Sequence, residues 1–330
     1  MLGSRSPRSR PASPCRPRVA LALAGALAAL AAGSSAASTG GTGGGTATGG
    51  EALPASPAGV RDYWTPERMR EARPPGLFVP GGGSAAKRGN ARGGNLHQRV
   101  HHVERFSQRA HGKVFFSSDG LNYVCSGTAV RSPSESTVWT AGHCAYEPGP
   151  LGGPVQNFMF VPGFHHGKRP FGEWPAIRID ATDQWKNSEY VPVVGLGGDI
   201  RYDFGAARVA KKGNTTLQER IGARRIAFGR PRDQQYRAFG YPAQQPPREF
   251  NGRRLFRCDS EYLGPDNSVN DPKPMKIACD MTGGSSGGGW VAEGRVSSVV
   301  SYGYRGQDRR LYGPYQGAAA RELFNDIRGG

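Results

Sequence analysis

Thr282-Gly283-Gly284-Ser285-Ser286-Gly287-Gly288 is the stretch on which the reading of this 330-residue chain turns, and its counterpart far upstream is Thr140-Ala141-Gly142-His143-Cys144. A serine hydroxyl is a poor nucleophile until an imidazole removes its proton, and the resulting oxyanion needs N–H donors aimed at it in advance. Glycines flanking a serine meet that second need. They let the backbone turn tightly, so that the amides of Gly284 and Ser286 can point into one small cavity.

The order of the groups along the chain selects among the known serine-nucleophile plans. Gly284-Ser285-Ser286-Gly287-Gly288 also fits the G-x-S-x-G elbow, whose order is Ser, acid, His. All seven histidines precede Ser286, so that plan is excluded. An order of Asp, His, Ser would call on Asp62 or Asp119, neither of which sits in an apolar setting that would bury a carboxylate. The order His, Asp, Ser remains. Nine aspartates lie between His143 and Ser286, and Asp203 opens Asp203-Phe204-Gly205-Ala206-Ala207-Arg208-Val209, which reads as a buried strand entered from a polar loop. Such a site can hold a carboxylate against one imidazole nitrogen, fixing the tautomer. Asp199, in the glycine-rich approach to the same strand, is the alternative.

Taken together, His143 in Thr-Ala-Gly-His-Cys, Asp203 in Asp-Phe-Gly-Ala and Ser286 in Gly-Ser-Ser-Gly-Gly resemble the trypsin-like serine proteases. Thr-Gly-Gly-Ser-Ser-Gly and the Gly240-Tyr241-Pro242 turn are most similar to the bacterial, glutamyl-endopeptidase-like branch. The resemblance covers roughly residues 112–327. It implies an all-β fold of two antiparallel six-stranded β-barrels with a short C-terminal helix, and a catalytic triad of His143, Asp203 and Ser286 in the cleft between the barrels. It also implies an oxyanion hole from the amides of Gly284 and Ser286, and a pocket wall at Ser301, Tyr302 and Gly303. Asp280 stands six residues before Ser286, the offset at which trypsins carry the acid that binds Arg or Lys side chains. Glutamyl specificity would want a cation or histidine on the pocket wall, where Val299 and Val300 stand instead. Ser285 occupies the place of the aspartate that pairs with the newly cut N-terminus in animal trypsins, and a neutral serine cannot make that charge-assisted contact.

Arg5, Arg8, Arg10, Arg16 and Arg18 precede an apolar run at 19–32 and a small-residue exit at 34–37, the pattern of a secretory signal peptide over 1–37. The run is too short for a membrane span, and no Arg-Arg pair marks the twin-arginine route. Residues 38–50 are a Gly/Thr/Ala tract, and 51–109 are rich in Pro, Gly, Arg and His without sustained periodicity. Together, 38–109 read as a spacer and pro-segment largely without fixed structure, with Lys87-Arg88, Arg99, Arg105 and Arg109 as candidate processing points. From residue 110 to the end, short β-branched and aromatic runs alternate with turn residues, an all-β pattern. Barrel one is expected over 112–210, barrel two over 222–315, and a closing amphipathic helix over 316–327. Export permits disulfides, and four cysteines remain after the signal peptide leaves. They allow three pairings; the two-barrel resemblance implies Cys125 with Cys144 and Cys258 with Cys279, one bridge per barrel. No C-x-x-C spacing supports zinc, and His165-His166 lacks metal-ligand spacing, so neither metal nor cofactor is expected.

Residues 1–105 carry 14 basic and 5 acidic side chains and the remainder 29 and 21, so more than half of the net charge of +17 precedes the expected catalytic domain. The densest basic stretch beyond it, from Lys211 to Arg232, has only Phe228 as an aromatic and reads as a solvated connection between barrels rather than a nucleic-acid platform. The expected protein is therefore a secreted, monomeric serine endopeptidase. Its partners would be protein or peptide substrates and an activating protease, with no nucleic acid and no stable membrane association. Two other classes compete: a catalytically silent protein of the same fold that binds an extracellular partner through its cleft, and a basic polyanion binder.

Overall fold

The strand Leu121–Val130 shows how the sequence builds the molecule. Its side chains alternate: Cys125, Gly127 and Ala129 face the neighbouring strands' apolar groups, whereas Ser126 and Thr128 fall on the other face, yet all five are buried. A strand buried on both faces, with hydroxyls on one, belongs at a seam between two packed bodies rather than at a wetted surface. Both hydroxyls make hydrogen bonds across that seam. The Ser126 hydroxyl donates to Gly284 O at 2.8 Å, and Thr128 Oγ1 accepts from the Gly289 amide at 3.3 Å.

In this computed structural model, which describes residues 50–76, 78–79, 95–188 and 198–329, six strands close the first barrel. They are His111–Ser118, Leu121–Val130, Thr137–Thr140, Gln156–Pro162, Trp174–Ala181 and Gly205–Val209, and Gln156–Pro162 pairs on both sides to complete the ring. Val114, Phe115, Val138, Phe158, Phe160 and Trp174 fill its core.

The second sheet runs Arg225–Ile226, Arg295–Val299, Gly289–Ala292, Gln235–Gly240, Phe256–Pro265, Met275–Ala278 and Arg310–Gly313. The two-barrel fold is present, but this second member is a curled half-barrel rather than a ring of six. The reason lies in residues 299–302. After Val299 the chain leaves the ladder: the Val300 amide donates to Gly288 O at 2.8 Å, and the Ser301 side chain turns to Asp203. The two edges meet at Tyr312, whose carbonyl accepts from the Ser301 amide at 3.0 Å and the Tyr302 amide at 3.3 Å, and whose amide donates to Tyr302 O at 2.9 Å. The Val300 backbone is given to the serine turn on both sides, its amide to Gly288 O and its carbonyl to the Gly287 amide.

The closing helix, Ala318–Ile327, buries Ala320, Leu323, Phe324 and Ile327 on a helical period. Gln316, just ahead of it, accepts from Trp139 Nε1 at 3.0 Å and donates to Val296 O at 3.0 Å, which ties one barrel to the other. The basic connection is less open than expected. Thr216 and Glu219 form a capping box that starts the short helix Leu217–Ile221.

The expectation that 38–109 largely lacks fixed structure is corrected for 50–76 and 95–109. Ser56-Pro57 and Thr65-Pro66 each place an N-cap hydroxyl before a proline at the first helical turn, and the helices Pro57–Tyr63 and Pro66–Glu71 follow. Val60, Trp64 and Met69 are buried, and Trp64 donates its indole N–H to Asn157 O at 2.7 Å. Periodicity is invisible in helices of one or two turns, so the caps were the only local signal. The signal peptide, most of the Gly/Thr/Ala tract and Lys87-Arg88 lie outside the described residues. Among the described residues, no helix is long and apolar enough to cross a membrane.

Candidate active site

His143 sits in a short 3-10 turn, Gly142–Cys144, at the end of the strand Thr137–Thr140. Asp203 lies two residues before the strand Gly205–Val209, which pairs with that same strand. The pairing brings the two residues together. Asp203 Oδ1 accepts the backbone N–H of His143 at 2.9 Å, and Oδ2 lies 2.9 Å from His143 Nδ1. The Ser301 hydroxyl donates to Oδ2 at 2.5 Å. Burial alone would raise the Asp203 carboxyl, but His143 and the hydrogen bonds from His143 and Ser301 outweigh it and hold the group below the ordinary aspartate value. An ionised Asp203 fixes the proton on Nδ1, which leaves the Nε2 lone pair free to accept one.

Ser286 reaches this site through the backbone. Its carbonyl accepts from the Ser126 amide at 2.7 Å, and the adjoining Cys125 is bridged to Cys144, the neighbour of His143. Gly287 closes the approach: it has φ +78, and a Cβ there would lie 2.0 Å from Thr140 Oγ1. Both His143 Nε2 and Ser286 Oγ are buried, and neither has a hydrogen-bond partner among the described residues, the other included. In the turn itself, Ser285 N donates to Thr282 O, Gly287 N to Val300 O and Gly288 N to Ser285 O. The amides of Gly284 and Ser286 have no acceptor among the described residues. Buried N–H groups are seldom left unpaired, and two of them beside a serine hydroxyl suit an oxygen that acquires negative charge.

The structure holds the two disulfides Cys125–Cys144 and Cys258–Cys279. The sulfurs of the first lie within 4.8 Å of a His143 ring nitrogen, but a disulfide offers no thiolate to a metal ion. Asp199, the alternative acid, spends its carboxylate on Arg201, with Oδ2 2.6 Å from the guanidinium.

The specificity residues are arranged differently from the sequence reading. Asp280 accepts from the Leu96 amide at 3.1 Å and faces His97 Nδ1 at 3.0 Å. The opposite ring nitrogen of His97 meets Glu249 at 2.6 Å, while Phe250 and Phe256 pack against the ring. The strand His97–Arg99 thus docks on the second sheet and occupies the carboxylate that was expected to face a substrate cation. Of the expected pocket wall, Ser301 belongs to the Asp203 hydrogen-bond set. The Tyr302 hydroxyl donates to Asp266 at 2.5 Å, as does that of Tyr304 at 2.6 Å. Gly303 pairs with residue 78. Sequence reasoning missed Ser126, Asp266 and His97; the hydroxyls at 126 and 128 within an apolar strand were the one signal available.

A fold of two packed β-barrels with a buried His–Asp pair facing a serine turn defines the serine proteases of the trypsin class. No family model and no curated protein matches the chain. Solved structures do. A thermostable serine protease, AL20, from an extremophilic microorganism is 37% identical, with 68% of this chain and 99% of that one covered at a TM-score of 0.61. The protease Anisep from Arthrobacter nicotinovorans is 35% identical, with 70% and 99% covered at a TM-score of 0.59. A Glu endopeptidase shares the fold at 18% identity, with 72% and 98% covered and a TM-score of 0.56. The chain belongs to the bacterial trypsin-like serine protease family and is a serine-type endopeptidase.

Proposed function

We propose that this protein is exported as a precursor and hydrolyses peptide bonds through an acyl-enzyme on Ser286. His143 Nε2 takes the Ser286 proton as Oγ attacks the scissile carbonyl, while Nδ1–H stays on Asp203. The oxyanion settles on the amides of Gly284 and Ser286. His143 then delivers its proton to the leaving amine, and water repeats the sequence to release the acid. The observation that carries this reading is the double grip of Asp203 on His143, through the backbone N–H and Nδ1 together. That grip leaves Nε2 the unpartnered nitrogen of the His143 ring, and Ser286 Oγ likewise has no hydrogen-bond partner among the described residues.

Export is supported by the basic and apolar pattern at 1–37 and by the two disulfides, which suit an oxidising compartment. Processing is supported by the docked segment ahead of residue 110. Arg99 lies in a paired strand, Arg105 caps a helix, and Arg109 donates to Ile221 O at 2.7 Å. Cleavage at Lys87-Arg88 would disturb none of these contacts. Ser285 spends its hydroxyl on Thr282 O at 2.5 Å, so activation does not use an ion pair at that position.

A fluorophosphonate probe tests the chemistry. The processed protein should label on Ser286, and Ser286→Ala should abolish labelling while its thermal unfolding stays close to that of the parent. Labelling that survives the substitution would remove Ser286 from the mechanism.

A further inference from the structure

The catalytic chemistry has no use for residues 73–76 and 78–79, yet they lie across the site. Arg73 enters beside the first barrel, donating its amide to Asn122 O at 3.0 Å and accepting from the Val124 amide at 2.9 Å. Pro74 then packs on the catalytic turn, so closely that a Cβ on Gly283 would lie 3.1 Å from Pro74 Cβ. Pro75 and Gly76 line a cavity with His143, Tyr146 and Trp185. Finally Phe78–Val79 pairs, in parallel, with Gly303–Tyr304 of the second half. The chain crosses from one side of the cleft to the other, and the two atoms that must meet substrate, His143 Nε2 and Ser286 Oγ, are shut away from solvent.

We infer that this segment is an inhibitory strap, held over the active site as an added strand; the inference rests on the catalytic reading above and specifies how that site is regulated. Three features suit it to the role. Main-chain pairing at both ends supplies affinity without a recognised side chain, as in other peptides that add to a sheet edge. The helices at 57–71 anchor it: Trp64 packs on Phe115 with ring centroids 5.4 Å apart, and Tyr63 donates its hydroxyl to Asn122 at 2.7 Å. Pro74 lies on the serine turn and Pro75 lines the cavity beside His143, and the bond between these two prolines, whose ring nitrogens carry no N–H, is a poor scissile bond for the enzyme the strap covers.

Release needs only one cut on the C-terminal side of the strap. Tethered, the strap is an intramolecular occupant at an effective concentration of about millimolar; cut, it is a free peptide that dilution removes. The strand His97–Arg99 stays behind, pinned by Asp280 and Glu249.

The test uses the whole chain with a specific cleavage sequence engineered between Val79 and Asn95. Fluorophosphonate labelling should rise about 10²-fold or more on cutting and separation of the released piece. A synthetic peptide of residues 51–79 added back should slow labelling and be recovered intact by mass spectrometry, and the same peptide carrying Trp64→Ala should do so only at higher concentration. Equal labelling of cut and uncut chains, no effect of the peptide, or hydrolysis at Pro74-Pro75 would each overturn the strap while leaving the catalytic reading in place. Labelling of neither form would overturn the catalytic reading and the strap with it.

Discussion

Asp203→Asn removes one charge and almost no volume from the buried site, and the structure dictates how the new amide must sit. The backbone N–H of His143 points at Oδ1 from 2.9 Å and can only donate. The amide oxygen must therefore take that place, which puts the NH₂ group where Oδ2 now faces His143 Nδ1 and the Ser301 hydroxyl. The serine can rotate to accept; the imidazole can accept only by moving its proton to Nε2. That is the nitrogen required to receive the Ser286 proton. A tautomer locked the wrong way, with the countercharge to the imidazolium gone, should lower kcat of the processed enzyme by about 10⁴-fold, or about 5.5 kcal/mol of barrier. Steady-state hydrolysis of a peptide substrate measures the loss, and thermal unfolding of the same samples separates it from misfolding. The stability difference has its own sign. A carboxyl depressed in the folded chain stabilises it above the unfolded pKa and loses that contribution as pH falls through the folded value. The gap in Tm between parent and variant should therefore shrink below about pH 4. A processed variant within tenfold of the parent kcat would refute the assigned role of Asp203.

Two further perturbations address the scaffold. Gly287→Ala should leave little folded protein. Its Cβ would lie 2.4 Å from the Ser126 carbonyl oxygen, and with φ +78 the strain and overpacking sum to about 2–5 kcal/mol, read as loss of secreted yield and of labelling. Lys113 is buried, donates to Gly252 O at 2.9 Å and lies over the rings of Phe115 and Phe164. Burial, aided by Arg253, lowers its pKa to about 7. Between that value and about 10.4 the unfolded chain holds the extra proton, so stability should rise with pH by up to about 1.4 kcal/mol per unit. Lys113→Met should flatten the rise, and equal pH slopes of Tm in both proteins would show that the amine stays charged in the fold.

What the sequence made legible follows from how local each constraint is. His143 and Ser286 stand in short strings whose neighbours serve them directly, and Asp203 heads an apolar strand that has to be buried. The disulfides followed once two barrels were assumed. The reading of Asp280 went astray for the opposite reason. Its offset from Ser286 is a local measure, but its environment is set by Leu96, 184 residues earlier in the chain. Nothing near Asp280 announces that partner. Ser301 stands in the segment expected to wall the pocket, and nothing near it announces that its hydroxyl donates to Asp203, 98 residues before it. The same limit hid the helices at 57–71, whose two turns or fewer carry caps but no period.

Ser126 shows why the two motifs need one another. Its hydroxyl donates to Gly284 O and accepts from the Tyr241 amide at 2.9 Å, so it braces the turn that carries the free amides. Its own amide holds Ser286 O, and its carbonyl accepts from Thr140 Oγ1 at 2.8 Å, in the strand that delivers His143. Of the four polar contacts of this buried residue, two go to the serine turn, one to the strand that precedes His143 and one to Tyr241 beside them. A buried network of this kind is strong only when every member is satisfied. The serine turn and the histidine turn are therefore tied to a common brace, which links segments 143 positions apart in the chain.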